Sequence, residues 1–402
     1  MKSTKVASDS LLPNKIKIIL SFLGVVLIAA NLRAPLTAVG PVLNEIRNAL
    51  DLSITAAGFL TTIPLFVFAC FSILIPKLTQ YYTIERILFC ALLLLSLGLY
   101  TRISGTTTSL FIGSAIVGCA ICIGNVLIPA FIKKDFPNAT GVMMGIYAVS
   151  MNLTAALASG FSISIGKTTT YGWKGSLGIW MAVAIVALVL WSPLVFQKKE
   201  IKMGTAEPKP MSKSILQSKL AWQISLFMGL QSLMYYCLVA WLPIVLQEWG
   251  MPNEDSGWIL SYIQMAMLPV TFAGPIIANK MANQKVLVLL VSAAMALSIL
   301  LLIVFKTDYI YLAAILFGMA SGLAFSLSMM FFVLRTKQNE TVAKISGMAQ
   351  SIGYFLAAFG PPIFGKLYEL NHNWNYSFYF MFGLLFLMLY VGIQAARNKY
   401  ID

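Results

Sequence analysis

The sequence predicts an all-α integral membrane protein, with twelve membrane-crossing helices in two similar six-helix halves. Three observations carry that prediction. Hydrophobic residues make up 59% of the 402 and charged residues only 10%, more apolar surface than a water-soluble domain could bury. The apolar residues fall into twelve blocks of about 20, the length needed to cross roughly 30 Å of hydrocarbon. One long polar stretch, "QKKEIKMGTAEPKPMSKSILQSK", divides the blocks six and six.

In order, the first six spans run over about 16–40, 55–77, 86–103, 108–131, 141–165 and 175–196. The second six run over about 220–246, 256–279, 285–304, 309–334, 343–367 and 374–396. The lysine-rich start followed by an apolar run has the look of a signal peptide. Because further spans follow, it reads instead as the first helix. "GKTTTYGWKG" between the fifth and sixth spans suits a turn at the membrane surface. The expected organisation is a first bundle over 1–196, a linker over 197–219 and a second bundle over 220–402.

The charges orient the spans. The net charge of +14 could suggest nucleic-acid binding, but the basic residues are scattered between apolar blocks. Of the 28 Lys and Arg, twenty-one fall in the tails and connections on the side of both termini, including six lysines in the long linker. Six (Arg47, Arg102, Lys167, Lys174, Lys306 and Lys366) fall on the other side, and Arg33 lies within the first span. The positive-inside bias puts both termini in the cytoplasm. The chain is expected in a bacterial cell membrane as a monomer, with the lipid bilayer and a small-molecule substrate as its partners, no nucleic acid and no cofactor.

The two halves look related. "DLSITAAGFLTTIPLFVFACFSILIPKL" and "NEDSGWILSYIQMAMLPVTFAGPIIANK" both pass from an acidic loop through Gly into an apolar span ending in Pro and a basic turn. Gly58 to Pro76 and Gly257 to Pro275 share a spacing of eighteen. "TGVMMGIY" and "SGMAQSIGY" open the fifth and eleventh spans alike, which points to an internal repeat.

Chemistry-bearing motifs are few. Cys119 and Cys122 form a C-x-x-C with no second pair, and the single histidine, His372, is far off in a polar loop. They read as small packing residues rather than a redox or zinc site. The fourteen acids all fall near span ends or in loops. Proton relays and hydrolytic sites inside membranes are built from Asp, Glu and His, so a carboxylate-driven symporter and a membrane-embedded enzyme are both disfavoured. A receptor would call for a sizeable extramembrane domain, and none is evident.

Arg33, in "ANLRAPLTAVGPVL", is the one cation set inside a span rather than at its end. Two readings are open. Its long stem could snorkel to the outer headgroups, or it could face a polar interior and meet anionic cargo. Pro35 removes a backbone donor and should open carbonyls beside it, and Asn31 and Thr37 lie close in sequence. Further polar residues fall mid-span: Asn125, Tyr147, Asn152, Gln231, Tyr235, Tyr236, Gln264, Gln350 and Tyr354. Gln231 with Tyr235, and Gln350 with Tyr354, share helix faces at i, i+4. Each alone could be an interhelical hydrogen bond. Together with Asn31, Arg33 and Thr37 they form the candidate substrate-binding set.

Two six-helix halves joined by a cytoplasmic loop resemble the major facilitator superfamily. "NLRAPLTAVGPVLNEI", "GNVLIPAFIKKDFP", "GIYAVSMNLTAALASG", "GLQSLMYYCLVAWLPIVL" and "SGMAQSIGYFLAAFGPPIFG" resemble, more narrowly, its bacterial cyanate porter family, which includes nitroimidazole exporters. The resemblance implies a central cavity, alternating access about the midplane, and cyanate-like anions or nitroimidazole-like heterocycles as cargo. The alternative is an exporter of amphipathic drugs, motivated by 20 Met and 25 Phe. In that superfamily the loop between spans two and three usually reads Gly-x-x-x-Asp-Arg-x-Gly-Arg-Arg. Here "IPKLTQYYTIER" offers Lys77, Glu85 and Arg86, and the matching "GPIIANKMANQK" offers Asn279 and Lys280. These five, with Gly360 and Pro361 of the "GPP" at 360–362, are the expected gating residues, and the latch they make is expected to be weak.

Overall fold

The structure is a computed structural model that describes residues 13–52, 54–196 and 213–401. Its described residues form helices joined by short turns, with no strand among them, and helices are how a chain in hydrocarbon satisfies its backbone polar groups internally. The first half contains α1 (Asn14–Thr37), α2 (Val39–Ala49), α3 (Ile54–Phe71), α4 (Ile75–Leu78), α5 (Ile84–Arg102), α6 (Thr107–Asp135), α7 (Thr140–Thr168) and α8 (Trp173–Val195). The second contains α9 (Lys213–Gln217), α10 (Lys219–Glu248), α11 (Asn253–Lys280), α12 (Lys285–Phe305), α13 (Ile310–Leu334), α14 (Asn339–Asn371) and α15 (Asn375–Ala395). The expected linker, 197–219, lies largely outside the described residues.

Ten of these segments are long and apolar enough to cross a membrane; α3 and α14 complete the twelve. α14 is the less apolar because Gln350, Ser351 and Tyr354 lie on a helix packed mainly against other helices. The expected span ends agree with the helices to within a few residues. Two depart: α1 continues with almost no break through Ala38 into α2, since Ala38 keeps helical dihedrals, and the second expected span, 55–77, is interrupted by a turn between α3 and α4.

The halves are pseudo-symmetric in their packing. α1 lies on α7 as α10 lies on α14; α5 lies on α6 as α12 lies on α13. Between halves, α7 packs on α11 and α3 on α14. Glycines set the closest approaches. A Cβ on Gly141 would fall 2.8 Å from the Asn279 Cβ, and one on Gly347 2.5 Å from the Ser72 carbonyl oxygen.

Both described chain ends lie on one face. Lys17 is 3.8 Å from Asp135 at the end of α6, and the Ile401 amide donates to the Arg335 carbonyl at the end of α13. Arg335 itself is buried. Its Nε donates to the Ala395 carbonyl and its Nη2 to the Ala396 carbonyl, both at 2.9 Å, and to the Gln284 side chain. One guanidinium thereby joins the start of α12 to the ends of α13 and α15.

Candidate functional site: a cationic cavity between the halves

The seam between the halves is closed on the termini face. Lys133, in the last turn of α6, donates to the Val333 carbonyl at 2.9 Å, to the Thr336 hydroxyl at 3.2 Å and to the Thr336 carbonyl. A cation on the terminal carbonyls of α13 also meets the negative end of that helix's dipole. Deeper in, the Ser351 hydroxyl of α14 donates to the Ala69 carbonyl of α3. Gln350 Nε2 donates to the Asn125 carbonyl at 2.9 Å and to the Ser346 hydroxyl at 3.0 Å. Tyr147 donates to Asn125 Oδ1 at 3.2 Å from within the first half.

Beyond this closure lies a small cavity lined by Arg33, Gln231, Ser232, Tyr235, Tyr236, Met267, Ser321, Phe325 and Tyr354. The free space at its centre is about 10 Å³, roughly the room of one water. Arg33 is half-buried and faces this space, so the snorkelling reading does not describe its geometry. Its Nη1 donates to Asn152 Oδ1 on α7 at 2.6 Å, and its Cζ lies 5.2 Å from the centre of the Phe325 ring. Cation–π contact of this kind stabilises a guanidinium without neutralising it. No acid lines the cavity, and no described acid forms an ion pair with Arg33.

The wall opposite Arg33 follows from helical spacing. Gln231 with Tyr235, Ser232 with Tyr236, and Ser321 with Phe325 are each i, i+4 pairs, which stack on one helix face. The Ser321 hydroxyl is buried without a hydrogen-bond partner. The first half thus supplies the charge and the second supplies hydroxyls, an amide and rings.

Three of the sequence-predicted site residues fall elsewhere. Asn31 faces α5 and α6, where its Nδ2 donates to the Leu27 carbonyl at 2.8 Å; two residues from Arg33 is the far side of a helix. Thr37 spends its hydroxyl on the Arg33 and Ala155 carbonyls. Gln264 is half-buried off the cavity, and Met267, nearly a turn further on, takes the lining position. Asn125, Tyr147 and Gln350 sit in the hydrogen-bonded layer of the seam rather than in the lining. Asn152 stands behind Arg33.

Carbonyls on either side of Pro35 take side-chain donors from neighbouring helices. Thr154 donates to the Ala30 carbonyl at 3.2 Å and Arg102 to the Pro35 carbonyl at 2.7 Å. Arg102, counted from sequence among the cations of the face opposite the termini, is almost completely buried at the end of α5.

Of the expected gating residues, Lys77, Arg86, Asn279 and Lys280 are exposed, and Glu85 pairs at 2.9 Å with Lys134 of its own half. Pro361 accepts a hydrogen bond from Trp241 Nε1 at 2.8 Å, and Gly360 packs on Leu233 and Cys237. Cys122 is buried against Ser72, with sulfur and hydroxyl 3.1 Å apart. Reading residue types within spans missed Ser232, Met267, Ser321 and Phe325 in the lining, and Lys133 in the closure. The repeated i, i+4 spacing in "SGLAF" was the available signal for Ser321 and Phe325.

Comparison with known proteins accords with this architecture. Residues 21–358 match the family model described as Major Facilitator Superfamily. The chain is 38% identical to the uncharacterized transporter YycB of Bacillus subtilis, over 94% of each chain. It is 34% identical to the 2-nitroimidazole transporter of Escherichia coli, over 94% of this chain and 95% of that one. It is 26% identical to the cyanate transport protein CynX of Escherichia coli, over 90% and 95% respectively. The solved proton:xylose symporter XylE superposes with a TM-score of 0.78 over 97% of this chain and 98% of that one, at 13% identity, which speaks for the fold. The chain is a multi-pass membrane transporter and belongs to the major facilitator superfamily, among its cyanate porter relatives.

Proposed function

We propose that the protein carries a small, planar, electron-rich anion by alternating access, with cyanate and the 2-nitroimidazole anion as representative cargo. The observation that carries this reading is Arg33, a cation in a cavity whose other lining groups are neutral. A nitro group withdraws charge from an imidazole ring and acidifies its N–H, so both cargos can present a delocalised anion. A guanidinium offers such an anion a planar fork of donors, and Tyr235, Tyr236 and Tyr354 offer ring faces and hydroxyls. The names of the two Escherichia coli relatives support the same class. The alternative exporter of amphipathic drugs calls for a wide, methionine-rich pocket, whereas this one has Met267 alone.

Cargo held between Arg33 of the first half and the tyrosines of the second would draw the halves together, so binding itself favours closure. With the termini in the cytoplasm of a bacterial cell, the closed seam is the inner one and this conformer faces outward. Seam closure at the inner side is assigned to Lys133, with Gln350 and Asn125 behind it; Gly360 and Pro361 serve as a hinge braced by Trp241.

The test is ligand-induced thermal stabilisation of purified protein by cyanate and by 2-nitroimidazole, followed by uptake into proteoliposomes. Wild type should be stabilised, because ligand binding to the folded state raises its apparent stability. Arg33→Ala should lose both stabilisation and uptake, and Arg33→Lys should keep only part, lacking the fork. Equal responses in wild type and Arg33→Ala would overturn the assignment.

A further inference from the structure

The charge balance of the cavity has a consequence for the transport cycle. Arg33 has two described partners, the Asn152 amide oxygen and the Phe325 ring, and both are neutral. The described acids near the seam are at helix ends, with Glu85 committed to Lys134 and Asp135 beside Lys17. No side chain of the lining can bring a negative charge to Arg33 in place of cargo. The cavity is already tight in this conformer, with room for about one water. To change the side from which it is reached, the protein must pass through a state closed on both faces, in which a guanidinium loses its remaining hydration.

We propose that the protein is an anion exchanger: an anion carried one way is replaced by an anion carried back, and net movement of a lone anion is slow. This rests on the reading of Arg33 as the countercharge of cargo. The physical reason is the cost of moving a charge into a medium of low dielectric, which is steep for an isolated ion and much smaller for a compensated pair. Loaded, Arg33 and the anion form a neutral unit and the closed state is accessible. Without cargo the same state contains an uncompensated cation, supported only by an amide dipole and a ring. The return step without cargo is therefore the slow limb, and a second anion on the far side removes it.

The test uses purified wild-type protein in proteoliposomes preloaded with radiolabelled cyanate, and a parallel set with 2-nitroimidazole buffered to its anionic form. Equal potassium on both sides with valinomycin holds the membrane potential at zero, so that net efflux is not stopped by charge build-up. Efflux is compared into buffer with no added cargo, with unlabelled cargo and with chloride. The expected result is at least tenfold faster efflux into unlabelled cargo than into either other buffer. Equal rates in all three would overturn exchange. Thermal stabilisation of wild type and of Arg33→Gln by the same two probes separates the two ideas. Stabilisation of wild type alone, together with equal efflux rates, sinks exchange while leaving the cargo site intact. Failure of both probes to stabilise wild type more than Arg33→Gln removes the cargo assignment, and exchange falls with it.

Discussion

Lys133 provides the most direct test of how the seam is held. Its ammonium group reaches the Val333 carbonyl at 2.9 Å, the Thr336 hydroxyl at 3.2 Å and the Thr336 carbonyl, all on the opposite half. A hydrogen bond to a charged group contributes about 1.5–3 kcal/mol, and a cation at a helix C-terminus roughly 0.3–1 kcal/mol more. Lys133 is half-exposed, so water recovers part of both when the seam opens. Discounted for that exposure to just under the lower bound of the hydrogen-bond range, the figure is about 1.4 kcal/mol, and it corresponds to a tenfold change in the ratio of closed to open seam. Lys133→Met keeps the length and apolar stem while removing the charge.

Seam opening can be read by the reactivity of a cysteine at position 346, in a chain with its five native cysteines replaced. Ser346 is fully buried, and its hydroxyl accepts from Gln350 at the seam, so a thiol there meets a maleimide only when the halves part. Labelling under conditions where opening is faster than reaction then reports the open fraction. Lys133→Met should raise the labelling rate about tenfold. A change of less than twofold, in protein that remains folded in detergent, would show that Lys133 does not hold the seam.

Two further predictions follow from the helix contacts. Gly347→Ala would place a methyl 2.5 Å from the Ser72 carbonyl oxygen and 2.9 Å from Pro76 Cγ, where backbone cannot yield. It should give normal membrane yield with transport abolished and position 346 labelled faster; full transport would mean that α3 and α14 need not close this tightly. Trp241→Phe removes the 2.8 Å hydrogen bond to the Pro361 carbonyl. The expected cost is about 1 kcal/mol, seen as a fall of roughly 2 °C in apparent melting temperature; an unchanged melting temperature would remove the brace.

The spans were legible because the bilayer imposes one length and one composition on every crossing, and twelve blocks repeat that signal. Arg33 was legible for the same reason, since a charge in such a block is costly and conspicuous. Gln231, Tyr235 and Tyr354 also emerged from sequence, being polar groups on shared faces. What a single chain does not encode openly is which side of a helix faces the cavity. Asn31 and Arg33 are two residues apart and look equivalent in a sequence, yet a rotation of about 200° sends them to opposite sides of α1. Phe325 and Met267 were hidden for the converse reason, because an apolar residue in an apolar span reads as packing until a cation is found over it. Lys133 was hidden among the many basic residues that positive-inside topology demands on that face, with nothing local to distinguish a seam contact from a topological charge.

The buried Arg335 changes what that lysine is fastened to. Val333 and Thr336 flank the segment where Arg335 ties the end of α13 to α12 and α15. Their carbonyls are therefore parts of a stiff corner, not of a fraying helix tip. Force applied at one ammonium group is shared at once among three helices, as through the handle of a door rather than a corner of its cloth. A hold at one edge can move a whole half as a rigid body, and the same stiffness makes its release abrupt.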